Sequence, residues 1–362
     1  MIYHRRAMSR PWASADASES GPQQPPYLDL SRRGARQAAA LSEAFRRVLE
    51  SGVLLDGPEL AAFEREWAAF TGRAFAVGVA SGTDAIRLTL SGLDIGSGDE
   101  VILPAFTAVP TIAAVCAAGA TPVPVDVDVA GASLEPEAAA AAVSPRTRAV
   151  IVVHLYGRPA PLPDLGVPVI EDAAHAHGAL HGEGGVAAAY SFYPTKNLGG
   201  IGDGGAVVTD DRDLAERVRR LRSHGRNGDR HQEIATNSRL SELNAAVLRA
   251  GLEELEAGNI RRREIAAAYR EAAPDLGWQQ NHPEHVHHLC VARLPDREAF
   301  RERVPFGTGV HYPRAVVDEP AYAGFTAGDV PNARAWAREC VSFPCYPELS
   351  GEELAWISAH LG

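Results

Sequence analysis

The chain holds a single lysine, Lys196, in the stretch Ser191-Phe192-Tyr193-Pro194-Thr195-Lys196-Asn197-Leu198-Gly199-Gly200, and the other 34 of its 35 basic residues are arginine. A guanidinium replaces an ammonium in most solvated and salt-bridging roles, but it stays protonated and does not condense with an aldehyde or ketone. A primary amine does. A lone lysine in an arginine-rich chain therefore points to nucleophilic amine chemistry of the Schiff-base kind. The plain alternative is a surface lysine that the composition left behind.

Pyridoxal phosphate asks a protein for such an amine, for an acid facing its ring nitrogen, for an anion cradle and for flat packing on its ring. Asp172 closes the apolar run Val167 to Glu171, 24 residues before Lys196, and the carboxyl end of a parallel strand opens onto a ligand crevice. A carboxylate there would keep a pyridinium protonated; the alternative is a buried, hydrogen-bonded carboxylate with no ligand. Ser191 and the Gly82-Thr83 turn offer hydroxyl and backbone donors to an anion, although Ser81 or Thr83 would serve equally as an ordinary helix cap.

These residues need elements to position them. Residues 1 to about 26 are rich in Ser, Ala, Pro and Gln and suit a loose tail, with Met8 offering a second start. Order is expected from Tyr27-Leu28-Asp29-Leu30, then a helix with Ala40, Leu41, Ala44, Phe45 and Val48 on its apolar face. Gly57-Pro58 opens a second helix, with Leu60, Phe63, Trp67 and Phe70 inward, ending at Gly72. The run Ala74 to Ala80 reads as a strand handing over to a helix at Ser81. Strands at 101–103, 123–127, 149–153 and 167–171, with helices at 109–118 and 135–142, predict a mostly parallel α/β sheet. Pro124 is the weak point of the second of these strands, because proline donates nothing to a ladder. Pro159, Pro161 and Pro163 exclude a helix between Gly157 and Gly166.

Gly200-Ile201-Gly202-Asp203-Gly204-Gly205 fits GxGxxG, but the strand-like run Ala206 to Thr209 follows where a dinucleotide site needs a helix, so that site is excluded. From Leu240, the positions Leu243, Val247, Leu248, Leu252 and Leu255 trace one face of a helix expected to run through Ala273. It would link a large domain, 27–240, to a small one that completes 241–362.

A length of 362 residues suits such a pair of domains. A net charge of −11 without a basic run argues against nucleic acid. No 18-residue apolar run or signal peptide is present, and the four cysteines form no CxxC pair, so an intracellular, cytoplasmic protein off the membrane is expected. His282, His285, His287, His288 and Cys290 fit no zinc spacing, and Val286, Leu289 and Val291 suggest a strand, so no metal is expected. The group His311-Tyr312-Pro313-Arg314 faces either a cleft or an ordinary turn.

Together these stretches resemble the DegT/StrS-type sugar aminotransferases, a family with the type I aspartate-aminotransferase fold. The resemblance runs from about residue 27 onward. Its carriers are Gly57-Pro58-Glu59, Ala80-Ser81-Gly82-Thr83-Asp84-Ala85, Gly98-Asp99-Glu100-Val101-Ile102-Leu103-Pro104 and His154-Leu155-Tyr156-Gly157, followed by Glu171-Asp172-Ala173-Ala174-His175-Ala176-His177-Gly178, Ser191 to Asn197, Asn237-Ser238-Arg239 and His311-Tyr312-Pro313. It implies a large pyridoxal-phosphate domain, built on a mixed, mostly parallel sheet flanked by helices, and a smaller C-terminal α+β domain.

The resemblance also implies roles. Lys196 is the lysine that carries the cofactor and Asp172 the partner of its ring nitrogen. Gly82, Thr83 and Ser191 hold its phosphate, with Asn237 contributed by the neighbouring subunit, which implies a homodimer with shared sites. His175 stands near the phenolic oxygen, where the family often has Gln, and imidazole serves as donor or acceptor. Ala108 stands where an aromatic residue usually stacks, so either Phe106 covers the ring or the stacking is reduced. The region after Gly157 and the loop His181 to Val186 are shorter than usual.

The implied reaction moves an amino group, with glutamate as expected donor, onto a keto-deoxysugar linked to a nucleotide diphosphate. A 4-keto-6-deoxyhexose comes first among the substrates, in secondary-metabolite or cell-surface sugar biosynthesis. Arg239, His311, Tyr312 and Arg314 are the residues expected toward substrate, the arginines because guanidinium binds phosphate bidentately; the alternative for both arginines is a surface salt bridge. The alternatives are a 3-keto sugar nucleotide, a keto-inositol as substrate of a cyclitol aminotransferase, and a cofactor-binding sensor without turnover. Members that dehydrate sugars carry histidine at the lysine position, so Lys196 counts against that branch.

Overall fold

Seven short, almost wholly buried strands build the main sheet: β1 (Phe75–Val79), β2 (Glu100–Pro104), β3 (Thr121–Val125), β4 (Thr147–Val153), β5 (Val169–Asp172), β6 (Ala187–Ser191) and β7 (Gly205–Thr209). The computed structural model describes residues 24–361 except Leu180, His181, Glu183, Thr326 and Ala327. The expected tail thus lies outside the described residues but for Gln24 to Pro26, as do His181 and Glu183 of the loop expected to be short. The strand order is β1-β7-β6-β5-β4-β2-β3, with β7 antiparallel to both neighbours and the remaining pairs parallel.

Both faces of a parallel sheet must be covered, and alternate residues show how this is done. Val77, Val79, Ala189 and Val207 face α3 (Gly82–Gly92), α4 (Val109–Ala117) and α6 (Arg212–Leu221). Ala76, Ala188, Tyr190 and Val208 face α2 (Pro58–Thr71) and α7 (Glu242–Leu252). The six-residue α5 (Pro136–Ala141) covers Ile102 and Val150 near the far edge. No helix or strand occurs from Arg158 to Pro168, as the prolines required.

Three expectations are corrected. The edge strand β3 spans Thr121–Val125 rather than 123–127. The Thr121 amide donates inward to the Asp99 carbonyl at 2.9 Å, so Pro122 and Pro124 occupy the outward positions, where a missing N–H breaks no ladder bond and blunts the edge. In α1 (Leu30–Ser51), Ala44 and Val48 are buried but Phe45 is 45% exposed, because only the stripe facing α7 is covered. The helix expected from Leu240 through Ala273 is two, α7 and α8 (Leu255–Ala272), broken at Glu253-Glu254. Leu248 on α7 and Leu255 at the start of α8 both belong to the main-sheet core, whereas Ile265, Ala266 and Tyr269 further along α8 belong to a separate core.

That second core lies against a three-stranded antiparallel sheet. After a short hairpin, β8 (Arg226–Asn227) with β9 (Arg230–His231), this sheet runs in the order β10 (Gly277–Trp278), β11 (Cys290–Arg293), β12 (Cys340–Phe343). The strand expected around Val286 therefore starts only at Cys290. The helices α9 (Arg297–Arg303), α10 (Pro331–Glu339) and α11 (Gly351–Ala359) complete the described chain.

The cap of α2 ties two of these elements together. Its N-cap Gly57 has no side chain, and the carboxylate of Glu242, 1% exposed on α7, accepts from the amides of Gly57 at 2.9 Å, Glu59 at 2.8 Å and Leu60 at 3.0 Å. An anion at a helix N-terminus is favoured by the exposed N–H groups and the dipole. Glu242→Ala leaves these buried donors unpaired and is expected to lower unfolding stability by about 3 kcal/mol in urea titration; a loss below about 1 kcal/mol would contradict the cap.

Candidate active site

The carboxyl ends of β1, β2, β4, β5 and β6 open into a cavity of about 580 Å³, the place where open α/β sheets bind ligands. Ser81, Gly82 and Thr83 reach it from the β1–α3 junction, Thr107 and Ala108 after β2, Leu155 after β4, Asp172, Ala174 and His175 at the end of β5, and Ser191, Tyr193, Thr195 and Lys196 at the end of β6. Tyr27, Arg262, His288, His311, Tyr312 and Cys345 close the opposite wall.

Lys196 sits in an irregular turn anchored by Phe192, whose fully buried ring packs edge-on against Phe63 at 5.2 Å and Trp67 at 5.4 Å. The Gly200 amide closes the turn on the Phe192 carbonyl at 2.8 Å. Burial lowers the Lys196 ammonium from 10.5 to about 8, against the opposing pull of Asp172. An amine so placed is partly unprotonated, hence nucleophilic, near neutral pH. Burial pushes the Asp172 carboxyl upward, opposed by hydrogen bonds from the Thr111 hydroxyl at 2.7 Å and the Ala174 amide at 3.2 Å. Thr107 in turn contacts Thr111 at 3.0 Å, so the acid is held in one orientation.

Backbone contacts assign the imidazoles. The Tyr156 amide donates to Nδ1 of His175 at 3.1 Å; burial holds that ring neutral, well below its ordinary value, so its proton is on Nε2. His175 is thus a donor. His177 donates Nε2–H to the Ser191 carbonyl at 2.9 Å and is pushed down to about 3 by burial. Asn259 donates to the His177 carbonyl at 2.8 Å and accepts from Asn197 at 2.8 Å, which leaves the Asn197 oxygen to accept from Nδ1–H of His288 at 3.1 Å. The Nε2 of His288 is therefore an acceptor. His311 is lowered to about 4 by burial, its Nδ1 lies 2.9 Å from the Ser342 hydroxyl, and its ring stacks on Tyr27 at 5.6 Å.

At the start of α3, Ser81 caps the Asp84 amide at 3.1 Å, while the first-turn amides of Gly82 and Thr83 have no preceding turn to donate to. A Cβ on Gly82 would lie 2.7 Å from the Ser191 Cβ, so glycine is what permits the approach of α3 to Ser191. The result is an anion-sized cradle of backbone and hydroxyl donors.

The expected residues do not all converge. Phe106 is fully buried, stacked on Trp336 at 6.1 Å, and does not line the cavity; its ring points into the core beneath α10, while Ala108 faces the cavity. Asn237 is exposed and accepts from Arg239 at 3.1 Å; Arg239 pairs with Asp56 at 3.6 Å, and neither lines the cavity. Arg314 is 55% exposed, 3.7 Å from Glu319, and also lies outside the lining. Among the described residues no group of three His, Cys, Asp or Glu is arranged to hold a metal ion. His285 instead pairs with Gln279 at 3.1 Å and stacks on His287 at 3.7 Å.

Thr111, Tyr156 and His288 are not among the site residues expected from the sequence. Thr111 carries a sequence signal, a polar residue four positions after Thr107 in an otherwise apolar helix, whereas His288 stands in a histidine group whose apolar neighbours suggest a strand.

Residues 36–361 match the DegT/DnrJ/EryC1/StrS aminotransferase family. The dTDP-3-amino-3,4,6-trideoxy-alpha-D-glucose transaminase of Streptomyces venezuelae is 44% identical, over 90% of this chain and 92% of its own length. The dTDP-3-amino-3,6-dideoxy-alpha-D-galactopyranose transaminase of Aneurinibacillus thermoaerophilus is 39% identical, over 91% and 96%. The crystal structure of S. venezuelae DesV in complex with a ketimine intermediate aligns with a TM-score of 0.89 and 42% identity, covering 93% of this chain and 97% of that one. The fold thus has a close counterpart along nearly the whole sequence, and the chain belongs to the DegT/DnrJ/EryC1/StrS aminotransferase family and is a transaminase.

Proposed function

We propose that the chain transfers an amino group from glutamate to a keto-deoxysugar carried on a nucleotide diphosphate, with pyridoxal phosphate as cofactor. The observation that carries this reading is one cavity holding the only lysine amine, a buried oriented carboxylate and an anion cradle. These groups fit the cofactor: Lys196 for its aldehyde, Asp172 for its ring nitrogen, Nε2–H of His175 for its phenolic oxygen, and Gly82, Thr83 and Ser191 for its phosphate. When bound, the cofactor supplies an electron sink beside the substrate carbon. Asp172, held by Thr111 and Ala174, keeps a pyridinium proton in place. Lys196 Nζ, whose ammonium burial lowers to about 8, would take the proton from the α-carbon of the donor in one half of the reaction and deliver a proton to the sugar carbon that receives the amine in the other.

The names of the relatives favour carbon 3. Both transaminases described above carry the amine there, which supports the 3-keto alternative over the 4-keto-6-deoxyhexose that the sequence suggested first. His311 and Tyr312 line the cavity wall, which supports a part for them in meeting the sugar; Arg239 and Arg314 would meet the diphosphate from outside it.

A homodimer belongs to the same proposal. Asn237 is exposed and outside its own cavity. Leu49 and Leu54 are 56% exposed and Leu55 is 45% exposed. Leu55 pairs with Ser241 and Asp56 with Arg239, which makes this apolar patch continuous with Asn237. An exposed apolar patch of this kind marks an interaction surface, and a second copy seated there would bring Asn237 toward its partner's phosphate site. Among the described residues no helix is long and apolar enough to cross a membrane, and the four cysteines are free, which supports a cytoplasmic location.

Gly82→Ala is expected to weaken pyridoxal phosphate binding at least about tenfold in a fluorescence titration, with circular dichroism showing the cofactor-free protein folded although the added Cβ presses on Ser191; unchanged affinity would remove the cradle. With glutamate as donor, a dTDP-linked 3-keto-6-deoxyhexose is expected to be aminated with kcat/KM about 100-fold above that of the free keto sugar, as followed by product mass. Preference for the 4-keto isomer would move the carbon, and preference for a keto-inositol would replace the substrate class.

A further inference from the structure

The turn that carries Lys196 has no strand or helix of its own, so its carbonyls need partners from elsewhere. Arg33, in the first turn of α1 and 161 residues from Pro194 in sequence, supplies them. Its Nη1 donates to the carbonyl of Pro194 at 3.2 Å and to that of Lys196 itself at 3.3 Å, and its Nη2 donates to that of Gly199. The arginines on either side act differently. Arg32 is bidentate on Glu353 at 2.7 Å, and Arg36 pairs with Glu348 at 2.9 Å and with Glu254. Among the described residues Arg33 has no carboxylate within ion-pair distance. Glu348 and Glu254 favour its charge from further off, while Arg36 and Arg262 oppose it, and burial lowers its pKa.

A guanidinium taken out of water without an ion pair needs its hydrogen bonds, and here they all end on the lysine turn. The planar fork suits carbonyls set on both sides of one residue. Only a crevice of about 40 Å³ remains between α1 and this turn.

We propose that Arg33 is a positioning residue for the reaction: by bracketing the carbonyls before, at and after Lys196, it holds the turn closed and keeps the lysine amine inside the cavity. The proposal rests on Lys196 being the reacting amine, and it makes α1 part of the active site.

Lys196 is faced by the carboxylate of Asp172 and by His175, His177, His288 and His311. Burial is the main cause of its lowered value, so a turn released from Arg33 rehydrates the amine and returns it toward 10.5.

Because Lys196 is the only lysine, the rate of its acetylation by acetic anhydride against pH, read by peptide mass, reports this one amine. The experiment uses the full-length protein freed of cofactor, so it does not depend on turnover or on the identity of the sugar. Wild type is expected to show a midpoint near 8. Arg33→Gln is expected to raise the midpoint by about one unit or more, while Arg36→Gln, which disturbs α1 docking alone, leaves it in place, with circular dichroism showing both variants folded. Should Arg33→Gln fail to fold, Arg33→Lys is read instead, its added amine resolved as a separate peptide. One ammonium does not span the carbonyls as the fork does, so the same rise is expected. A midpoint in the folded Arg33 variant within about 0.3 unit of wild type, or an equal shift in Arg36→Gln, would overturn the proposal.

Discussion

An ammonium taken out of water loses hydration that a nearby carboxylate returns only in part, and Lys196 sits at that balance. Burial lowers its pKa to about 8 while Asp172 resists, and the same burial raises Asp172 while Thr111 and the Ala174 amide resist. An amine at this balance is both nucleophile and base near neutral pH, and the balance depends on the burial that the surrounding residues give it.

The walls explain much of the architecture. Five strand ends converge on one opening, and three of them deliver the groups of the candidate site: α3's first turn after β1, the acid at the end of β5, the amine turn after β6. The antiparallel β7 places Gly205 against β1 and lets the chain re-enter the sheet between β1 and β6. The break between α7 and α8 separates two duties, since α7 covers the main sheet and caps α2 through Glu242, whereas α8 carries Arg262 to the cavity and then builds the second core.

What was legible in the sequence was local. The alternation of apolar runs, the Gly57-Pro58 start of α2, the glycine at its end and the handover at Ser81 are set by period, capping and backbone freedom, and the structure has them. The amine and the acid were legible because composition isolates Lys196 and a strand end presents Asp172. The remainder depends on distant partners. Phe106 turns into the core because Trp336 on α10 gives it a surface to stack on. His288 reaches the cavity through a chain of two asparagines from different segments. Nothing in the sequence separates Arg33 from its neighbours Arg32 and Arg36; its contacts with the distant lysine turn do. Asn237, Arg239 and Arg314 lie outside this chain's own cavity, so any part they take needs a second subunit or a bound substrate.

That Lys196 is the reacting amine is tested most directly by trapping. Incubating the full-length protein with pyridoxal phosphate, reducing with borohydride and mapping the peptides should give one cofactor per chain on the peptide containing Lys196, since no other side-chain amine exists. A label confined to the N-terminal amine, or no label on the Lys196 peptide at saturating cofactor, would contradict it.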